Sequence, residues 1–531
     1  MKYSIGVQDF EKIIKQGYTY VDKTKYLYDL AHSGNIFFLN RPRRFGKSLL
    51  ISTLKYYFEG RRDLFKGLAI DSLEKEWKQY PVMQLSFSTG EYSNDGILKE
   101  TIDAFLSEQE AKYGGSPEGT SFSRRFYNVI IAAKKKTGMP VVVLVDEYDK
   151  PLLDTLELDK MVKDDDGYEL QLGEKNRTIL KGLYSVFKDM DAYLKFVFLT
   201  GVTKFGQITV FSGFNQPQDI GFHPNYEAIC GISESELYDV FKERIAELAP
   251  QWHTDVEGVK AMLKKNYDGY HFTSTMTDIY NPFSILNVFS SGVIMDYWFK
   301  SGNPEYLIRL LAKTKVNVQD LVGKFYTESE FVEYKADAEK PLPMLYQSGY
   351  LTFSECDMMT HQYLLDFPND EVARGFITLI ANNYLKTKQT NNSSTTVGDV
   401  VRALAKSDTD AVRDILTAFF ASIPYTAYRR RGQKAKEQHF HYTFYLLLRL
   451  LSTYTVYTEK CQSQGRVDCV VELADYLYIF EFKLDGSADE ALRQIEDKGY
   501  AREYLTDQRP LKRIGCVFSS KSGTISDWKV E

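Results

Sequence analysis

Gly46, Lys47 and Ser48 follow closely on an apolar run, Asn35–Leu39 (NIFFL), within the stretch NRPRRFGKSLL. These residue types suit phosphate chemistry. A glycine lets backbone N–H groups approach a phosphate, a lysine reaches its outer oxygens, and a serine hydroxyl can ligate Mg²⁺. The spacing is that of G-x-x-x-x-G-K-[ST], except that Arg41 stands where the first glycine belongs, so by spacing alone the motif is degenerate. A second acidic element follows. Asp146 and Glu147 close the run Val141–Val145 (VVVLV), at the carboxyl edge of a sheet where ligands bind. There Asp146 is expected to hold Mg²⁺ through water, and Glu147 to take a proton from an attacking water. Thr200 and Thr203, at and after the end of Lys195–Thr200 (KFVFLT), are candidates for sensing a γ-phosphate.

A different constellation lies near the C-terminus, in GRVDCVVELADYLYIFEFKLDG. It reads as two strands, Val467–Leu473 and Tyr476–Leu484, joined by a short turn. Glu481 and Lys483 lie two apart on one strand and so share a face, onto which Asp468 of the neighbouring strand can converge. Two carboxylates beside a lysine can hold Mg²⁺ and orient water against a phosphodiester, the lysine assisting deprotonation or stabilising the pentavalent phosphate. Upstream, EQHFHYTFYLLLRLL patterns as an amphipathic helix starting at Glu437. The basic stretch YRRRGQKAK before it either contacts phosphates or forms a solvated arm.

The elements needed to position these groups are legible as patterns. Short apolar runs, Asn35–Leu39, Val82–Phe87, Val141–Val145 and Lys195–Thr200, alternate with helical stretches such as Ser48–Phe58, as in a parallel α/β sheet covered on both faces. From Ile232 helices take over, followed by strand-like LTF and QYLLDF around LYQSGYLT, a helical lid with a winged-helix-like unit. The polar tract KTKQTNNSSTT cannot bury enough surface to order itself and reads as a linker. The expected division is a nucleotide-binding domain over 1–231, a helical and winged region over 232–385, a linker over 386–400 and a final α/β domain over 401–531.

At 531 residues the chain exceeds one hydrophobic core, and 44% hydrophobic with 26% charged residues is an ordinary globular balance. A net charge of −6 argues against a nucleic-acid binder basic over its whole surface. Five cysteines without a CxxC pair suggest neither a disulfide framework nor a zinc site, and a cytoplasmic location is expected, with no membrane span.

The first two-thirds of the chain resembles the bacterial AAA-ATPase-like family, through IGVQDFEKII, YVDKTKYLYDL, RPRRFGKSLL, VVVLVDEYDKPL, FLTGVTKFGQ, NYDGYHF, YNPFSILN and LYQSGYLT. In that family an arginine stands at the position of Arg41. The resemblance implies ATP and Mg²⁺ as ligands, with Arg41, Arg43, Arg44, Phe45, Gly46, Lys47, Ser48, Asp146 and Thr200 at the nucleotide. Arg43 and Arg44 either reinforce phosphate binding or face solvent. Asp22, Lys23 and Thr24 either close over the adenine or cap a helix. The last domain resembles the PD-(D/E)XK nuclease superfamily, which implies a restriction-endonuclease-like fold. Asp468, Glu481 and Lys483 fall on its motif, Glu437 on its helical acidic position, and Gln494, Lys498 and Tyr500 on its QI..K.Y helix. Glu459 competes with Glu437, and Val467 replaces the proline of the family name. The expected whole is an ATP-binding and ATP-hydrolysing protein coupled to a Mg²⁺-dependent nuclease acting on nucleic acid, DNA ahead of RNA, and compatible with a homo-oligomer. The alternative is a regulatory ATPase whose nuclease-like domain binds nucleic acid without cleaving it.

Overall fold

A computed structural model describes residues 1–115, 121–164, 166–204, 211, 217–301, 307, 309–310, 321–332, 341–385, 399–400, 402–421, 455–462 and 465–531. The chain forms two compact units, Met1–Val372 and Ala373–Glu531. The boundary expected at Ile232 therefore lies inside the first unit, and most of the expected linker lies outside the described residues.

The first unit is organised by five parallel strands: β1 (Ile36–Asn40), β2 (Val82–Ser86), β3 (Val141–Asp146), β4 (Leu194–Gly201) and β5 (Gln218–Asp219), in the order β2-β3-β4-β1-β5. Valine-rich β3 is buried along its whole length, as a strand covered on both faces must be. Because β4 lies between β1 and β3, the carboxyl ends of all three open onto one edge, which places Asn40, Asp146 and Gly201 side by side. Gly201 cannot be larger: a Cβ there would lie 2.4 Å from Asp149 Oδ1 and 2.7 Å from the Tyr148 ring.

Helices after Ile232 bury their own cluster, including Leu237, Phe241, Ile245, Leu263 and Val288. Serine-capped and asparagine-capped helix starts at Ser233 and Asn281 fix their entry points, with a full capping box between Ser233 and Glu236. An antiparallel sheet follows, β6 (Lys324–Thr327), β7 (Thr352–Asp357) and β8 (Gln362–Asp366), in the order β6-β8-β7. The hairpin was expected from LTF and QYLLDF; β6 was not. This later part of the unit reaches back to the loop after β1. The Trp298 indole donates to the Arg43 carbonyl at 3.1 Å. Gly349, at φ 84°, passes so close to Pro42 that a Cβ would meet the proline ring at 2.7 Å. Buried Glu371 ties the helices Pro282–Ser291 and Tyr297–Lys300 together, accepting the Trp298 backbone N–H at 2.6 Å and the Ser284 hydroxyl at 2.7 Å.

The second unit carries a mixed sheet of β9 (Thr455–Gln462), β10 (Gly465–Glu472), β11 (Leu477–Leu484), β12 (Leu511–Phe518) and β13 (Ile525–Val530), in sequence order. Only the β11–β12 pair is parallel. Its crossover is the helix Ala488–Asp497, opened by a Ser487–Glu490 capping box and packed through Leu492 and Ile495 against Leu477 and Ile479.

Candidate phosphate and carboxylate sites

At the first site, Gly46 adopts φ 94°, a left-handed conformation that favours glycine, and the helix Lys47–Phe58 starts directly after it. The helix N-terminus, Lys47, Ser48 and Glu147 face a cavity of about 380 Å³, which Arg43, Arg44 and Asp149 also line. Lys47 is buried, and its ammonium donates to the carbonyls of Arg41 and Pro42 at 2.9 Å each. Burial pushes the Lys47 pKa down, against the pull of Glu147, Asp146 and Asp149.

Burial likewise pushes Asp146 and Glu147 above the usual carboxylate range, with Lys47 opposing the shift in both and Ser48 also opposing it at Asp146. Asp146 Oδ1 is buried without a hydrogen-bond partner. Glu147 sits at φ 54°, a sparsely populated conformation for a side chain with a Cβ. It is held there by its neighbours. Tyr148 N–H donates to the Thr200 carbonyl at 3.0 Å, and Asp149 accepts from Val202 N–H, Thr203 N–H and the Thr203 hydroxyl at 2.7–3.1 Å. Asp149 thus clamps the ends of β3 and β4 together, a role that the sequence reading did not assign.

Two expected nucleotide contacts, Arg41 and Thr200, take other places, as does the candidate Thr203. The Arg41 guanidinium is fully buried; it donates to the carbonyls of Asn40, Gly221, Tyr226 and Glu227 at 2.9–3.2 Å and stacks on Phe272 at 4.1 Å. It braces the loop from behind, which explains why an arginine can replace the glycine. The Phe45 ring packs edge-on against Tyr270 and Phe272 and lines a smaller cavity beside the first. The Thr200 hydroxyl donates to the Leu39 carbonyl at 2.9 Å, stapling β4 to β1, and Thr203 serves Asp149.

Ser4 to Gln8 form part of the cavity wall, another contribution the sequence reading missed. A smaller cavity of about 90 Å³ adjoins it, sharing Ser4, Gly46, Leu49, Pro282 and Leu286, and is walled by Tyr20, Val21, Lys23, Ile229 and Phe241. Of the YVDKT residues, Asp22 accepts the Thr24 N–H at 2.8 Å and the Ala69 N–H at 2.7 Å, while Lys23 lines the small cavity and pairs with Glu236 at 2.5 Å.

At the second site the alternation of β11 does the positioning. Leu477 and Ile479 enter the core against the helix, and Glu481 and Lys483 continue the same face beyond it. Asp468 lies one step past the Cys469↔Phe480 pair, across from Glu481, and accepts the Phe482 N–H at 2.8 Å. Gln494 on the helix bridges the pair: its amide nitrogen donates to Glu481 Oε1 and its oxygen accepts from Lys483. The Lys483 ammonium lies 3.7 Å from Glu481. Burial, then the Asp468 charge, pushes Glu481 up to about 8, with Lys483 pulling the other way. Glu481 Oε2 is buried without a hydrogen-bond partner. Lys498 ends the helix, and Tyr500 is buried in the core. Glu437, the basic stretch before it and the side chain of Glu459 lie outside the described residues.

A P-loop sheet with an acidic strand end, and a mixed sheet bearing D…E-x-K beside a helical glutamine, define two known classes of domain. A family model described as Predicted AAA-ATPase matches residues 4–211, and one described as PD-(D/E)XK nuclease superfamily matches residues 435–528. A protein of Azotobacter chroococcum mcd 1, "Uncharacterized protein in vnfD 5'region", is 33% identical over 536 residues, spanning 100% of this chain and 99% of that protein. The chain belongs to the AAA-ATPase-like family and carries a PD-(D/E)XK nuclease-superfamily domain towards its C-terminus. Among the described residues no helix is long and apolar enough to cross a membrane.

Proposed function

We propose that the first unit binds and hydrolyses MgATP, and that the second is a metal-dependent nuclease acting on nucleic acid, DNA ahead of RNA. One observation supports both halves. Each site holds an acidic side chain with a buried oxygen that meets no donor, Asp146 Oδ1 in one and Glu481 Oε2 in the other. A buried orphan oxygen is costly, and a cation satisfies it. The donor sets are oxygen-rich, as Mg²⁺ prefers. Ser48 and Asp146 would hold the ion in the first site, and Asp468 and Glu481 in the second.

In the first site the Lys47 ammonium, with two of its three N–H donors on the Arg41 and Pro42 carbonyls, turns the remaining one to phosphate, and its desolvation strengthens that contact. Glu147, made more basic by burial, accepts the proton of the attacking water. The small apolar cavity is suited to the base of the nucleotide. When bound, Mg²⁺ neutralises phosphate charge. In the second site Lys483 stabilises charge on the phosphate, and Gln494 fixes the orientation of both Lys483 and Glu481. Both substrates are cytoplasmic, which is where we place the protein.

The closed Lys483–Gln494–Glu481 ring also favours a second reading, in which the nuclease-like domain binds nucleic acid without cutting. Cleavage of plasmid and single-stranded DNA, assayed with Mg²⁺ or Mn²⁺ and with or without ATP, separates the two. Cleavage lost in Asp468→Ala supports the nuclease; no cleavage by the wild type under any of these conditions leaves the binding reading. Loss of ATP binding in Lys47→Ala tests the first site.

A further inference from the structure

The loop between β1 and its helix carries two arginines, Arg43 and Arg44, that line the phosphate cavity, and the structure treats them differently. Arg44 adopts φ 69°, is exposed, and lays its guanidinium on the Phe283 ring at 4.9 Å. Arg43 is half-buried, and its charge acts on Glu147, the residue expected to handle the attacking water. Its backbone is fixed on both flanks. The Trp298 indole donates to its carbonyl at 3.1 Å, and the preceding Pro42 is wedged against Gly349. A guanidinium with a held backbone, sharing a cavity with Lys47 and Glu147, suits a group aimed at transferring phosphate.

We infer that Arg43 is a catalytic arginine supplied in cis by the phosphate loop itself. This rests on the ATPase reading above and goes beyond it by removing the need for an arginine from a second subunit. In hydrolysis the water oxygen forms a bond to the γ-phosphorus, and its proton passes to Glu147. The bond from that phosphorus to the β,γ-bridging oxygen breaks, and ADP departs with the electron pair. Arg43 forms and breaks no covalent bond; its five donors and fixed charge match the negative charge spread over the γ-oxygens as that bond breaks. Trp298 is a positioning residue, acting through the Arg43 carbonyl.

The test compares wild type with Arg43→Ala and Arg43→Lys in the full chain, measuring ATP affinity and turnover separately. Arg43→Ala is expected to lower kcat by about 10³-fold while ATP Kd changes by less than about tenfold. Arg43→Lys, which keeps charge without the fork, should restore only part of the rate. Wild-type turnover per chain should stay flat across a hundredfold dilution, and mixing Arg43→Ala with Lys47→Ala should rescue nothing. Turnover by Arg43→Ala within a few-fold of wild type would overturn the assignment, as would rescue on mixing, which would show an arginine acting in trans. If the wild type binds ATP without measurable turnover, retention of ADP with aluminium fluoride replaces the rate; retention unchanged in Arg43→Ala refutes the role. A wild type indistinguishable from Lys47→Ala in nucleotide binding would instead sink the ATPase reading, and this inference with it.

Discussion

The two sites hold a lysine beside buried carboxylates in opposite ways. Lys47 bonds to backbone carbonyls of its own loop and faces Glu147 across a cavity of about 380 Å³. Lys483 is tied through Gln494 to the very carboxylate it accompanies. The first site is an open cradle whose cation is held by main-chain oxygens and lines the cavity. The second is self-neutralised, with one orphan oxygen as the opening for a further cation. The contrast follows from the elements. A loop feeding a helix offers main-chain groups and room, whereas a strand face under a helix offers only side chains at fixed 2-residue intervals.

The largest expected effect breaks the second site alone. Asp468→Ala and Lys483→Ala should each lower DNA cleavage by about 10³-fold while leaving ATP turnover intact. Equal loss of both activities would show that the sites are not separable. Next, Glu147→Gln should retain ATP binding and lose about 10²–10³ in kcat. An unchanged rate would remove it as the base. Gln494→Ala should weaken metal-dependent cleavage by about 10–100-fold, since it orients groups rather than reacting; a full loss would promote it to the reacting set.

The smallest effect concerns a control for the orphan-oxygen argument. Both oxygens of Asp268 are buried without a well-aligned donor, yet Lys264 already supplies a cation there, 3.8 Å from Asp268 and bonded to Glu234 and Asp278. Burial, then the Asp278 charge, raises Asp268 from 3.8 to about 7. An acid raised on folding favours the native state only while protonated. Stability from this group should therefore fall as pH climbs from about 4 to 7 and then level off. Asp268→Asn should flatten that slope, raising the melting temperature by a few degrees at pH 8 relative to wild type, with no change in metal dependence. A slope that survives in Asp268→Asn would assign it elsewhere.

Much of this was legible in sequence because burial on both faces leaves its mark as apolar runs. The expected strand Lys195–Thr200 is observed as Leu194–Gly201, and Val141–Val145 as Val141–Asp146. Asp468, Glu481, Lys483 and Gln494 do converge, since a two-residue period and a capped helix are local facts. What sequence could not convey is the direction of a side chain whose partners lie far along the chain. Arg41 meets Gly221, Tyr226 and Glu227, some 180 residues on, and Thr200 meets Leu39. A position inside a phosphate motif does not ensure that the side chain points at phosphate. Asp149 escaped notice for the same reason, because its partners Val202 and Thr203 lie on another strand end.

The closeness of Gly349 to Pro42 makes two distant codons answer to one constraint. Any side chain at 349 must push on the loop that carries Lys47, although some three hundred positions separate them in the chain. In a genetic screen, loss-of-function alleles at Gly349 would mimic alleles of the nucleotide loop itself. Their natural suppressors would be smaller residues at position 42, where trimming the proline ring gives back the space.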